Sequence, residues 1–304
     1  MQPLISIIIC TYNRQKFIGE CLECLSRQSL DPGKWEVIII DNQSTDDTAA
    51  IVKTFIQNHP ALPFRYVFEE KKGLSYARNR GITEAASGLI CFIDDDAEAV
   101  PGFAETIVDF MQMHPEASGA GGRVLPKYSE VPQPKWMNKY LAGFIGLVDH
   151  GEPPRIFTGR MKYPIGCNMT YRKEWLTRAG GFNNELTFRG DDKHIYNVVS
   201  KLNPAVYYLP KALVYHNIDA ARLSFTNFKK LFLKTGNEEK IRIRAEQKAG
   251  AFLEKLLEYL AKFSFSLLLW LFFIIKGEGI KGKYTMYSQW FTLLGFLQKD
   301  VHVR

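Results

Sequence analysis

With 304 residues, 46% hydrophobic and 23% charged side chains, the chain is long enough to bury one large core or two smaller ones and has ordinary globular proportions. Its net charge of +7 is not spread evenly: residues 220–304 carry 15 Lys and Arg against 7 Asp and Glu, whereas residues 1–219 carry 24 against 25. This argues against a nucleic-acid groove across the main body and for an anionic partner of the tail, a membrane surface first.

The isoleucine-rich run Leu4 to Cys10 reads as a buried strand, not a secretion signal, because no basic region precedes it and polar Thr11-Tyr12-Asn13-Arg14 follow. Asn13 is placed to cap a helix over about Arg14 to Arg27. Cys21 and Cys24 form a C-x-x-C inside it, with no second ligand pair nearby, so they read as helix packing. The five cysteines, an odd number in apolar surroundings, do not form a disulfide framework and suit a reducing compartment. Pro32-Gly33 breaks the chain, and Trp35 to Ile40 is a second strand ending at Asp41. Ser44 and Asp46 offer N-cap oxygens to a helix through about Asn58. Phe64 to Phe68 is a third strand, Gly73 to Ala86 a helix, Leu89 to Ile93 a fourth strand, and Pro101 to Met113 a helix with proline in its first turn.

Strands without alternation, each followed by a helix, imply an α/β, doubly wound, mostly parallel sheet covered on both faces. Ligands of such sheets bind beyond the carboxyl ends of the strands. Thr11-Tyr12, Asp41-Asn42 and Asp94-Asp95-Asp96 all end strands, so they are expected to meet in one crevice. Three adjacent carboxylates raise one another's pKa unless a cation or donors compensate, and a hard divalent ion such as Mg2+ does so through oxygen ligands, one or two carboxylates plus a bound phosphate. The alternative for the triplet alone is a solvated acidic turn. No G-x-G-x-x-G follows the first strand, so the crevice is not the usual dinucleotide site. A Walker-like string from Gly277 to Tyr284 lacks the Ser/Thr hydroxyl and reads as a flexible basic turn.

Four stretches in order, Ser6 to Arg14, Val37 to Thr48, Gly73 to Gly81 and Ile93 to Asp96, resemble the inverting family 2 glycosyltransferases of the GT-A fold. The resemblance implies a nucleotide-sugar donor, UDP-linked, held by Thr11, Tyr12, Asn13, Arg14, Asp41, Asn42 and Ser44. It places Arg78 near the phosphates, Asp94 and Asp95 at the ribose side, and Mn2+ or Mg2+ on Asp96 and Asp94, joined by His216. In the second half, residues 126–165, with Trp136 and Tyr140, read as a long ordered loop with short helices, and such loops are usually functional. Gly166-Cys167-Asn168 resembles the acceptor-side motif, and Phe188-Arg189-Gly190-Asp191-Asp192, ahead of a helix from Lys193 to Leu202, resembles the catalytic acidic segment. Ala212 to His216 is an apolar strand ending in histidine. An acceptor hydroxyl is a weak nucleophile, so a carboxylate must take its proton during attack. Asp192 is the first choice and Asp191 the reserve.

The expected organisation is a GT-A catalytic domain over 1–217, with a nucleotide-sugar half (1–97) and an acceptor half (98–217), followed by a basic helical extension over 218–304. Phe225 to Gly236 resembles an amphipathic family helix. Phe263 to Ile275 holds no charge but as a helix covers only about 20 Å, short of the roughly 30 Å bilayer core. With Tyr284 to Leu297 it is expected to lie on the cytoplasmic leaflet through residues 252–298, facing a glycan or lipid-linked acceptor of cell-surface polysaccharide synthesis. A dimer interface or burial against the catalytic domain remain open for this segment. A nucleotidyltransferase or a non-catalytic nucleotide-sugar binder are the alternatives for the whole chain.

Overall fold

The computed structural model describes residues 2–158, 161, 163–185, 190–245 and 250–298. Phe188 and Arg189 of the acidic segment lie outside the described residues. The chain forms two compact units: Met1–Lys127 with Gly146–Asn217, and Tyr128–Ile145 with Ile218–Arg304. Residues 128–145, expected in the acceptor half, fall in the second unit with the helical tail.

The first unit runs β1 (Ile5–Thr11), α1 (Ile18–Ser26), β2 (Trp35–Asp41), α2 (Thr48–Asn58), β3 (Phe64–Phe68), α3 (Leu74–Glu84), β4 (Leu89–Asp94), β5 (Ala97–Ala99), α4 (Phe103–Met113) and β6 (Gly119–Lys127), then β7 (Arg155–Ile156), β8 (Met169–Arg172), α5 (Lys173–Arg178), α6 (Asp191–Leu202) and β9 (Val206–Asn217). One nine-stranded sheet has the order β3-β2-β1-β4-β8-β6-β9-β5, with β7 on β9. β1, β2, β3 and β4 are parallel, β6 is parallel to β9, and β5, β7 and β8 run against their neighbours. β1 and β2 are buried almost throughout because helices cover both faces, as their unbroken apolar sequences require. α1 buries Ile18, Cys21, Leu22 and Leu25, the single stripe of an amphipathic helix.

Three helix starts differ from expectation. α1 begins at Ile18 with Phe17 at its N-cap, so Asn13 does not cap it. Asn13 instead adopts a left-handed φ of 55° and its side-chain oxygen accepts the Thr45 N–H at 2.7 Å. Ahead of α2, Asp46 accepts from Thr48 N (3.0 Å) and from Gln15 N (3.2 Å), while the Ser44 hydroxyl accepts from Asn13 N. The side chains foreseen as caps of two helices therefore stitch the β1 and β2 loops together, Asp46 also holding the first N–H of α2. α6 begins at Asp191, two residues earlier than expected.

The second unit holds a 3-10 turn (Lys139–Ile145), α7 (Ala220–Leu223), α8 (Phe225–Ala245), α9 (Ala251–Ile275) and α10 (Gly279–Leu297). α10 packs on both α8 and α9. Its approach to α8 is backbone-close: a Cβ on Gly295 would lie 1.9 Å from Leu233 O, and one on Gly236 2.0 Å from Thr292 O. The Walker-like string is not a flexible turn beyond its first residues. Only Lys276 to Glu278 turn, and from Gly279 the string is helix, with Gly282 against the Trp270 backbone.

Candidate active site

Strand register brings the three polar clusters together. Thr11 pairs with Asp41 across β1 and β2, and Cys10 pairs with Asp94 across β1 and β4. Asp41 is buried and uses both carboxylate oxygens, accepting Ser44 N at 2.9 Å and the Tyr66 hydroxyl at 2.7 Å. Burial and the adjoining carboxylate push the Tyr66 phenol up, so it stays a donor to Asp41. The Asn42 amide is committed to the β3–α3 loop: it donates to Lys71 O (2.7 Å) and Glu69 O (3.3 Å) and accepts from Gly73 N (2.7 Å). Asn42 thus positions that loop. Tyr12 is exposed at the rim, where Lys72 lies 4.6 Å from its ring centroid and donates to its hydroxyl at 3.0 Å. The result is an aromatic and cationic wall beside a carboxylate.

The acidic triplet is not a solvated turn, since Asp95 and Asp96 are each 5% exposed. Arg14 faces both, Nε 3.3 Å from Asp95 and Nη2 3.6 Å from Asp96. His216 Nε2 lies 3.3 Å from Asp96 Oδ1, because β5 pairs Ala97 with His216. Burial pushes Asp95 up to about 8, with Arg14 opposing and Asp96 adding to the rise. Asp94 is raised by desolvation, against the pull of Arg78. Among the described residues no three His, Cys, Asp or Glu side chains close into a metal cage. Clustered carboxylates with one imidazole nevertheless suit a hard divalent ion that completes its shell from phosphate and water.

Arg78, buried on α3, links this cluster to the acidic pair of α6. Its guanidinium bonds Asp191, lies 3.7 Å from Asp94 and covers the Phe182 ring at 5.3 Å. Burial alone would lower the Arg78 pKa, but Asp191 and Asp94 outweigh it and hold the group charged. Glycine at 166 leaves room for Arg78 where it stands: a Cβ there would lie 2.3 Å from Nη2 and make the guanidinium shift. Asp192, at the start of α6, accepts from Lys193 N at 2.7 Å and Gly166 N at 3.3 Å. Burial raises its pKa, Asp191 adds to the rise, and Arg78 opposes it.

Three of the residues expected on the acceptor side are held by packing. Cys167 is 1% exposed and belongs to the hydrophobic core. Asn168 is equally buried and donates to Ala212 O (2.8 Å) and Arg123 O (3.2 Å), tying β9 to the irregular stretch of β6. Trp136 belongs to the second unit, stacked on Tyr284 at 4.6 Å and 3° and edge-on to Phe144 and Phe228. Its Pro-rich surroundings build no core of their own, so the ring joins that of the tail. Tyr66, Lys72 and Phe182 escaped the sequence reading. The signal for Lys72 was its place in a Lys-Lys-Gly turn just after a strand.

The mixed, mostly parallel sheet with carboxylates gathered at its strand ends has the GT-A fold. The chain belongs to Glycosyl transferase family 2, which matches residues 6–180. It is 24% identical over 236 residues to the glucosyl-dolichyl phosphate glucuronosyltransferase of Haloferax volcanii, covering 73% of this chain and 71% of that protein. It is 34% identical to the validoxylamine A glucosyltransferase of Streptomyces hygroscopicus subsp. limoneus, across 35% of this chain and only 23% of that protein. Among solved structures, S. aureus TarS 1-349 in complex with UDP superposes with a TM-score of 0.56 at 19% identity, covering 94% of this chain and 90% of that one. The mannosyltransferase PcManGT of Pyrobaculum calidifontis, in complex with GDP-Man and Mn2+, gives 0.60 at 16%, covering 95% and 86%. At these identities the structural likeness is one of fold.

Proposed function

We propose that this glycosyltransferase moves a sugar from a UDP-sugar to a hydroxyl of a lipid-linked or glycan acceptor with inversion, at the cytoplasmic face of a membrane. The observation that carries the reading is the division of labour in the acidic pair. Asp191 has its carboxylate engaged by the Arg78 guanidinium, whereas Asp192 has a raised pKa and stands free of that bond. Asp192 takes the acceptor proton as the hydroxyl attacks the anomeric carbon from the face opposite the leaving nucleotide. Arg78, between Asp94 and Asp191, couples the donor side to the base and offers its charge to the diphosphate. Tyr12 and Lys72 wall the nucleotide, and the loops held by Asp41, Asn42, Asn13 and Ser44 shape its seat. Asp96 and His216, with Asp94 beside them, would hold Mn2+ or Mg2+, which supplies Lewis-acid stabilisation of the departing diphosphate.

In this reading residues 1–97 serve the donor and the rest of the first unit the acceptor. The lipid-linked acceptor is supported by the dolichyl phosphate substrate in the Haloferax relative's name, and UDP by its presence in the TarS complex. Calorimetry of UDP with and without Mn2+ tests the donor site. Binding is expected to need the metal in the parent and to lose that need, with most of its affinity, in Asp96→Ala. Unchanged metal-dependent affinity in the variant would sink the assignment.

A further inference from the structure

Among the described residues, α9 is the helix long and apolar enough to cross a membrane, and only 11% of its most apolar stretch is buried. Leu253, Leu257, Leu260, Leu268, Leu271 and Ile275 are 43–85% exposed. At about 100° per residue they share one arc, which the exposed Phe265 and Phe272 on one side and Leu267 and Ile274 on the other widen near the C-terminal end to roughly half the circumference. The other side is used: Tyr259 packs edge-on against Phe296 of α10. In the first half Glu258 pairs with both Lys255 and Lys262 and Glu254 is exposed, and residues 263–275 hold no charge. The ammonium of Lys276, the first residue after α9, lies 4.6 Å over the Phe272 ring, a cation at the edge of the apolar arc.

The shape of this face selects its occupant. A second copy of the helix would need only a narrow seam, and half the circumference is too wide for that. At 25 residues α9 measures about 37 Å, enough to cross a bilayer. Crossing, however, would draw in α10 with Lys281 and Lys283, and α8 with Lys229, Lys230 and Lys234, a heavy desolvation cost. We propose that α9 lies along the surface of a bilayer containing anionic lipid, its exposed arc sunk to the headgroup–acyl boundary, with α10 and α8 stacked above it. This deepens the membrane placement given above and needs none of the transfer chemistry.

The test is flotation of the intact chain with vesicles of phosphatidylcholine and phosphatidylglycerol, beside Leu268→Glu/Leu271→Glu. Both positions are exposed, so the double variant should keep the parent's melting temperature and UDP binding. The parent should float and be released by an alkaline carbonate wash, and the variant should float about tenfold less. Equal flotation of the two proteins would overturn the proposal, as would a parent that stays at the bottom while the same substitutions split a dimer in light scattering. Retention after the wash would overturn the in-plane arrangement in favour of a span. Because no donor is present, a vesicle-bound protein without transferase activity would count against the catalytic reading alone.

Discussion

At the scale of single residues, the acidic pair shows how one helix start gives two carboxylates different tasks. Asp191 and Asp192 are adjacent, yet only Asp191 meets the guanidinium of Arg78. Asp192 keeps its proton more tightly in the folded chain than in the unfolded one. Stability linked to it is therefore complete below the unfolded pKa of about 4 and lost as pH rises through the higher folded value. Asp192→Asn should thus melt at a higher temperature than the parent at neutral pH, and the gap should close on acidification below about pH 4. The same raised pKa should appear as an acid limb in kcat/KM, activity rising as the base loses its proton. Melting curves across pH check the first expectation, and a variant no more stable than the parent at pH 7 would contradict it. The stability at issue is the kind commonly given up at an active site.

At the scale of elements, β1 to β4 were legible because each is a run of apolar residues with a helix after it, and their polar ends fixed where a crevice had to be. β6, β7 and β8 were not. β6 reads Gly-Ala-Gly-Gly-Arg before its apolar residues, and β7 has two residues. Their pairing comes from neighbours and not from local preference. β9 showed only its second half, since Pro210 interrupts a strand whose partner shifts register between Gly122 and Val124. The candidate site was legible in the same measure: residues on strand ends converge, whereas Cys167, Asn168 and Trp136 were assigned from a motif or a loop and are held by packing. α8 and α10 were foreseen as apolar or basic stretches, but their close crossing was not, because Gly236 and Gly295 carry no pattern until both helices are seen. Gly295→Ala should force the helices apart and lower unfolding stability by about 2 kcal/mol, measured by urea titration. No loss would mean that the crossing is looser than the 1.9 Å approach to Leu233 O implies.

At the scale of the whole molecule, two units divide the work: a sheet whose strand ends gather carboxylates and cations, and a basic helical unit with a broad apolar face. Charge follows the same division, near balance up to residue 219 and basic beyond it. On the proposed reading, that division would bring an anionic donor to an acceptor held at a membrane. Sugar transfer at the sheet edge with Asp192 as base can be read from release of nucleoside diphosphate from a panel of nucleotide sugars, with Mn2+ and a membrane extract as acceptor source. With Asp192 as the base, the parent should release UDP from a UDP-sugar and Asp192→Asn should fall by roughly 100-fold or more, with UDP affinity nearly intact. Full turnover by Asp192→Asn, with Asp191→Asn the crippled variant, would contradict it.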